Sequence, residues 1–164
     1  WINSYIDETD NVALVGCGAI GSKVKANNIH SFSRGSDFAN IEDFNTLVVT
    51  VQPEGNDKLI GHKILSKFKG KLISVSRSTV IDNTALHENI DNITHAYVDT
   101  LDSHLRESLL ETGKVTYTKH TAFEYGFSYE NNTKYFDDLN NTIMNCLNDT
   151  VENPILKRTS RVTF

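Results

Sequence analysis

The segment Gly16-Cys17-Gly18-Ala19-Ile20-Gly21, set directly after the apolar run Val12-Ala13-Leu14-Val15, is the tightest constraint on what this chain can become. A buried strand, a glycine turn and the start of a helix, in that order, form a dinucleotide-binding fingerprint. Each glycine has its own task. Gly16 makes the tight turn, Gly18 lets backbone approach a pyrophosphate, and Gly21 lets helix and strand pack closely. Ala19 and Ile20 complete the loop. The pyrophosphate is expected on the helix N-terminus, where unpaired N–H groups and the helix dipole favour an anion. A glycine turn with purely structural duties is the competing reading.

The rest of the chain alternates strand-like and helix-like segments, the pattern of a parallel α/β sheet. Strands are predicted at 12–16, 29–33, 46–51, 71–76, 94–99 and 115–118. Leu47-Val48-Val49-Thr50-Val51 and Lys71-Leu72-Ile73-Ser74-Val75 are short, β-branched and nearly continuously apolar, as strands covered on both faces are. Between them Ile60, Ile64, Leu65 and Phe68 recur at helical spacing over 58–68. Asp82 is a candidate N-cap for a helix carrying Ala85, Leu86 and Ile90. Ser103 is another, with Leu105, Leu109 and Leu110 inward and Gly113 ending the helix. A last helix over about 129–149 carries Phe136, Leu139, Ile143 and Leu147, a stripe that reads as packing. The expected architecture is one domain over residues 1–164, a Rossmann-type doubly wound parallel sheet in three αβα layers with its core at about 10–120. Ligands of such sheets bind outside the carboxyl ends of the strands. Function is therefore expected at 17–21, 33–36, 51–55, 76–80, 99–104 and 119–123.

Charge and cysteine usage narrow the partners. Sixteen Lys+Arg against 21 Asp+Glu give a net charge of −5, which argues against a nucleic-acid binder. No apolar run approaches the roughly 18 residues of a membrane span, and no basic-then-apolar leader is present. No membrane partner is expected, and a cytoplasmic location is. The two cysteines, Cys17 and Cys146, point to a reduced compartment. Asn92, Asn131, Asn140 and Asn148 open Asn-X-Thr triplets, read as a product of asparagine-rich composition rather than as glycan sites. No pair among His30, His62, His87, His95 and His104 has metal-site spacing with a cysteine or carboxylate, so no metal is expected.

Beyond the glycines, four segments stand in order at the predicted strand ends. Ser74-Val75-Ser76-Arg77-Ser78-Thr79-Val80-Ile81-Asp82 resembles the N-x-x-R-x-x-x-V-D segment of the D-isomer-specific 2-hydroxyacid dehydrogenases. Gln52-Pro53 followed by Leu59-Ile60-Gly61 is similar to that family's proline loop and helix start, and His95-Ala96-Tyr97-Val98-Asp99 to the strand that ends on its aspartate. Val115-Thr116-Tyr117-Thr118-Lys119-His120 is similar to the strand that ends on its histidine. The resemblance covers roughly residues 10–150. It implies reversible hydride transfer between a nicotinamide cofactor and a small 2-hydroxy or 2-keto acid of the glyoxylate, hydroxypyruvate or phosphoglycerate type. In that family the arginine grips the substrate carboxylate with its planar fork of donors and polarises the carbonyl, and Arg77 matches it. The histidine exchanges a proton with the substrate oxygen, and His120 matches it. The resemblance also places Val51, Gln52, Pro53, Val75, Ser76, Arg77, Asp99 and His120 along the cofactor, and pairs two copies through 58–68 and 82–90.

Three departures from the family pattern carry expectations of their own. The family's glutamate beyond the Asp99 position is absent from Thr100-Leu101-Asp102-Ser103-His104, which leaves Asp102 as the candidate acid partner of His120. The family's small residues after the histidine are here Thr121-Ala122-Phe123. The substrate domain that flanks the family's cofactor domain is expected to be largely absent, since Trp1 falls near the crossing between the two. Two readings remain open: an NAD(P)-dependent oxidoreductase, or a dinucleotide-binding or dimerising module of impaired catalysis. For the cofactor, the second strand ends in Ser33-Arg34-Gly35-Ser36 with no carboxylate, a set that suits a 2′-phosphate and favours NADP(H) over NAD(H). Asp37 reaching back to the ribose is the alternative. The linker from Gly21 to Ser33 is short, so the first helix is expected to be clipped to roughly two turns.

Overall fold

The computed structural model describes residues 1–33 and 35–122. Its six strands are β1 Asn11–Val15, β2 Asn28–Phe32, β3 Thr46–Val49, β4 Gly70–Ser74, β5 Ile93–Val98 and β6 Val115–Tyr117. They form one sheet in the order β2-β1-β3-β4-β5-β6, every neighbouring pair parallel. All six begin and end within two residues of their predicted runs. The Rossmann-type parallel sheet of the sequence reading is therefore present. The order reverses between β1 and β3, which opens the crevice at their carboxyl ends. The helix expected at 129–149, Arg34, Phe123 and Cys146 lie outside the described residues.

One face of the sheet carries the main core. Ala13, Val15, Leu47, Val49, Leu72, Ala96 and Val98 point into it and meet Ile64, Leu65, Leu86 and Leu109 from three helices. These are α1 His62–Leu65, α2 Asn83–Glu88 and α3 Arg106–Glu111. Asp82 caps α2 as expected, its carboxylate accepting the N–H groups of Thr84 and Ala85. The expected helix over 58–68 shrinks to α1. Ile60 instead forms a parallel bridge with Ile81, which ties the loop after β3 to the loop after β4. Ser103 is not a cap: α3 starts after Leu105 with no side-chain cap, and Leu110 is exposed rather than inward.

The first crossover departs most from expectation. In place of a helix after the glycine loop there is a single 3-10 turn, Gly21–Lys23, from which Val24 leaves in extended conformation. Reach explains this. β2 must begin beside Asn11, so the chain has to travel back along β1. Residues 22–27 span roughly 9 Å as helix, whereas the return along β1 is roughly 13 Å at 3.3 Å per residue. Only a mostly extended path closes the crossover.

The face that such a helix would cover is covered by the N-terminal segment. Trp1, Ile2, Tyr5 and Ile6 pack with Val24 and Ala26 on Val12, Leu14, Val48 and Ile73. The Tyr5 ring stacks on Tyr97 at 3.9 Å, and Trp1 meets Tyr5 edge-on at 5.1 Å. Lys71 clamps this segment from below, its Nζ donating to the Tyr5 carbonyl at 2.7 Å, Asp7 at 2.8 Å and Asp10 at 3.1 Å. Burial works to raise the Asp10 carboxyl, but the Asp7 N–H and the Lys71 ammonium outweigh it and hold Asp10 below its ordinary value. Burial works to lower Lys71, and the two carboxylates reverse it and raise the ammonium. Among the described residues no helix is long and apolar enough to cross a membrane.

Replacing Lys71 by Met leaves Asp10 buried without its cation and should lower stability by about 3 kcal/mol in urea unfolding. The pH dependence has a definite sign. Because the Asp10 carboxyl is depressed, its contribution is present above the ordinary value of 3.8 and fades as pH falls below it. Because Lys71 is raised, its contribution is complete below 10.5 and fades as pH climbs beyond that. A variant lacking the clamp should show weaker loss at both ends.

Candidate functional site

The glycine loop after β1 is locked from three sides. Gly16 has φ +94°, and a Cβ there would sit 2.6 Å from Val51 Cγ1, so both conformation and space require glycine. A Cβ on Gly21 would collide with the Gly16 carbonyl oxygen, so the loop closes on itself only with glycine there. The Thr50 hydroxyl at the end of β3 donates to that same carbonyl at 2.5 Å. Gly18 differs: a Cβ on it would meet nothing within 4 Å among the described residues, so no contact with them accounts for its lack of a side chain. The backbone N–H groups of Cys17, Gly18, Ala19 and Ile20 meet no acceptor among the described residues. They form a small field of free donors at the switch point. With no helix following, this donor set acts without a helix dipole, which corrects the expectation of a helical N-terminus.

A cleft of about 600 Å³ opens over this loop, in the range of small-molecule sites. Gly16, Gly18, Ala19 and Ile20 form its β1 side, Ser33 and Ser36 its β2 side, and Val51 and Gln52 its β3 side. Phe32, Phe38 and Leu59 make its apolar wall, with the Phe32 and Phe38 rings stacked at 4.8 Å. Ser36 and Ser33 close a turn, the Ser33 N–H donating to Ser36 Oγ at 2.9 Å. Asp37 points to Lys63, 3.9 Å away. The Gln52-Pro53 turn is held by Asn56, which donates from Nδ2 to the Gln52 carbonyl and from its N–H to the Pro53 carbonyl.

The same edge continues towards β6 through a run of hydroxyls. Ser76 donates to the Val51 carbonyl at 2.8 Å, and Thr100 donates to the Ser76 carbonyl at 2.8 Å. Val75 donates its N–H to Val49. Asp99, buried at the end of β5, accepts Thr118 Oγ1 at 2.5 Å and the Ala122 N–H at 2.8 Å on one carboxylate oxygen. Its carbonyl accepts the His120 N–H at 2.7 Å. Lys119 and His120 are both left-handed, at φ 55° and 64°.

Arg77, on the loop after β4, donates from Nη1 to His120 Nε2 at 2.9 Å. Two residues singled out 43 positions apart are thus in direct contact, both exposed at the carboxyl edge. Asp102 is elsewhere engaged. Its carboxylate lies 3.0 Å from His104 Nδ1, and the hydrogen bond from His104 is the chief cause of its lowered pKa. Among the described residues no carboxylate forms an ion pair with His120. Nor do they gather any three metal-ligating side chains.

Several residues that shape this edge were not singled out in the sequence. Thr50, Thr100 and Thr118 each supply a hydroxyl, and buried Asn83 donates to the Ser78 and Ile81 carbonyls while accepting the Asp102 N–H. The available signal was positional: a Ser or Thr stands one or two residues past each of β3, β4, β5 and β6.

No protein-family model matches the chain, and no curated protein matches it. Solved structures do. The NADPH-dependent glyoxylate/hydroxypyruvate reductase of Sinorhizobium meliloti, solved with NADP and malonate, is 24% identical at TM-score 0.57, over 69% of this chain and 43% of its own. The D-lactate dehydrogenase of Lactobacillus jensenii, solved with NAD+, is 20% identical at TM-score 0.57, over 73% of this chain and 49% of its own. An acyclic imino acid reductase solved with NADPH and D-Arg is 20% identical at TM-score 0.65, over 90% of this chain and 54% of its own. The chain spans about half the length of these proteins. Its fold is that of dehydrogenase NAD-binding domains, and the structures that share it include the D-2-hydroxyacid dehydrogenases its motifs resemble.

Gly18 and Gly21 separate cleanly on substitution. Gly21→Ala should lose about 3 kcal/mol in thermal or urea unfolding because its Cβ meets backbone. Gly18→Ala should stay within about 0.5 kcal/mol of the parent. Equal losses in the two would remove the distinction drawn between them.

Proposed function

We propose that the chain binds a nicotinamide dinucleotide along the carboxyl edge of its sheet and carries the cofactor half of a D-2-hydroxyacid dehydrogenase site. The observation that carries this reading is the contact between Arg77 and His120 on the same edge as the glycine cleft. The residues present fit such a group. Free N–H donors at Cys17–Ile20 suit a pyrophosphate, the open side of Gly18 leaves room for close approach, and the Phe32–Phe38 wall suits a flat base. Neighbouring strands lie about 4.8 Å apart, so β6 stands roughly 19 Å from β1 across the edge, a span for an extended ligand rather than a compact one. A bound nicotinamide supplies or accepts the hydride.

The side chains then have distinct tasks. Arg77 offers its remaining guanidinium N–H groups to a substrate carboxylate and fixes the orientation of the adjoining carbon. His120 holds the proton exchanged with the substrate oxygen. Small 2-hydroxy and 2-keto acids are the substrate class this pair recognises. NADP(H) is favoured over NAD(H). Ser33 and Ser36 border the cleft, no carboxylate stands at the end of β2, and Asp37 is turned to Lys63, which leaves Arg34 as the residue for a 2′-phosphate. Since the fold is shared with proteins solved with NADP and with NAD+, the preference rests on those side chains. The same reading pairs two copies through 58–68 and 82–90, and a monomeric mass in solution would overturn that part.

A second reading has one observation in its favour: His120 has no carboxylate partner among the described residues, Asp102 being held by His104. On it, the chain binds the dinucleotide but turns over poorly.

Parallel titrations with NADPH and NADH test the first claim, and failure of both to bind or stabilise the chain refutes it. Arg34→Asp should move preference towards NADH by about tenfold. His120→Ala should lower turnover of a 2-keto acid by about 10²–10⁴-fold with cofactor affinity unchanged. Binding without turnover in the parent chain selects the second reading.

A further inference from the structure

We propose that Asp99 is a positioning residue: its buried carboxylate and its carbonyl together hold the left-handed Lys119-His120 pair, so that the His120 ring lies against Arg77. The proposal rests on the reading of Arg77 and His120 as the substrate-facing pair, and it gives Asp99 a different task from the cofactor contact that the family resemblance implies.

The backbone poses the question. Lys119 and His120 are consecutive left-handed residues, at φ 55° and 64°. That conformation crowds Cβ against the backbone, and neither residue is a glycine or a short polar side chain that visits it readily. Two in a row persist only where surrounding contacts impose them. Asp99 supplies those contacts. Of the five residues 118–122, three are bonded to it: Thr118 through its hydroxyl, His120 through its N–H and Ala122 through its N–H. The anchor is itself fixed, because the Asp99 N–H donates to the Ser74 carbonyl of β4 at 2.9 Å. Asp99 is only 4% exposed, and its Oδ1 already accepts two hydrogen bonds from the turn.

The turn uses Asp99 as an acceptor of hydrogen bonds and does not use its charge. An asparagine presents the same carbonyl oxygen in the same place and can accept both bonds. Alanine cannot. Removal of the Thr118 hydroxyl takes away one bond and leaves the carboxylate intact. If the carboxylate instead served the His120 proton through its charge, asparagine would fail as badly as alanine.

The test uses the full chain and four variants, Asp99→Asn, Asp99→Ala, Thr118→Val and His120→Ala. The last identifies the His120 imidazole signals by NMR. Asp99→Asn should keep those signals and the NADPH dissociation constant within about twofold of the parent. Asp99→Ala and Thr118→Val should shift the imidazole towards an unrestrained histidine and lower kcat by about 100-fold, with the KM for cofactor little changed. Imidazole signals that stay in place in both would overturn the proposal, leaving Asp99 a packing role only. An Asp99→Asn variant as damaged as Asp99→Ala would overturn it too. Should the parent chain bind neither nicotinamide nucleotide, the dehydrogenase reading fails, and the imidazole comparison still decides the role of Asp99. Thr118→Val keeps the test decisive if Asp99→Ala does not fold.

Discussion

Where a parallel sheet ends, its ladder of hydrogen bonds ends too, and the carbonyls just past the strands need other donors. In this chain hydroxyls answer that need one strand after another. Thr50 reaches back to the Gly16 carbonyl, Ser76 to that of Val51 and Thr100 to that of Ser76, while Thr118 reaches the Asp99 carboxylate. Each bond crosses from one loop to its neighbour, so the loops after β1, β3, β4, β5 and β6 are joined along one edge. The glycine cleft at one end and the Arg77–His120 contact at the other are therefore parts of a single braced surface. On the proposed function, a site that holds an extended ligand and two reacting side chains in register gains from such bracing, because small misplacements are costly to reaction rates.

How much of this was legible in the sequence follows from the range of the forces involved. The strands were, because β-branched apolar runs between polar turns leave few alternatives. The Asp82 cap was, because capping is decided within three residues. Arg77 and His120 were found through motif spacing, and the fold brings them into contact. The short linker from Gly21 to Ser33 signalled a clipped first helix, but its complete loss was not legible. Its loss is a matter of distance between Gly21 and Asn28, which becomes visible only once β1 and β2 are known to pair in register. Asp102 failed as a partner for His120 for a similar reason, since a carboxylate two residues from a histidine finds that histidine first. The hydroxyl run was hidden because Ser and Thr are ordinary residues in loops, and only the order of strands turns them into a series.

The missing crossover helix has a structural consequence on the other face. A sheet face carrying Val12, Leu14, Val48 and Ile73 has to be covered, and here a short N-terminal segment does it with aromatic rings. Rings cover more area per residue than aliphatic side chains, so a thin segment can stand in for a helix when it carries Trp1 and Tyr5 and meets Tyr97. The segment needs a fixed register to do this. Lys71 gives it one, since a single ammonium held between a carbonyl and two carboxylates tolerates little sliding.

On the proposed function, Arg77 is the residue that meets the acid. A guanidinium has five N–H donors in a planar fork, and the contact with His120 occupies one of its nitrogens. Among the described residues no carboxylate pairs with Arg77. An exposed arginine with its fork largely free, steered at one end by a histidine, presents a planar donor face of the shape a carboxylate fits. On the proposed function, recognition of the acid and handling of the neighbouring oxygen fall to two side chains that are already in contact.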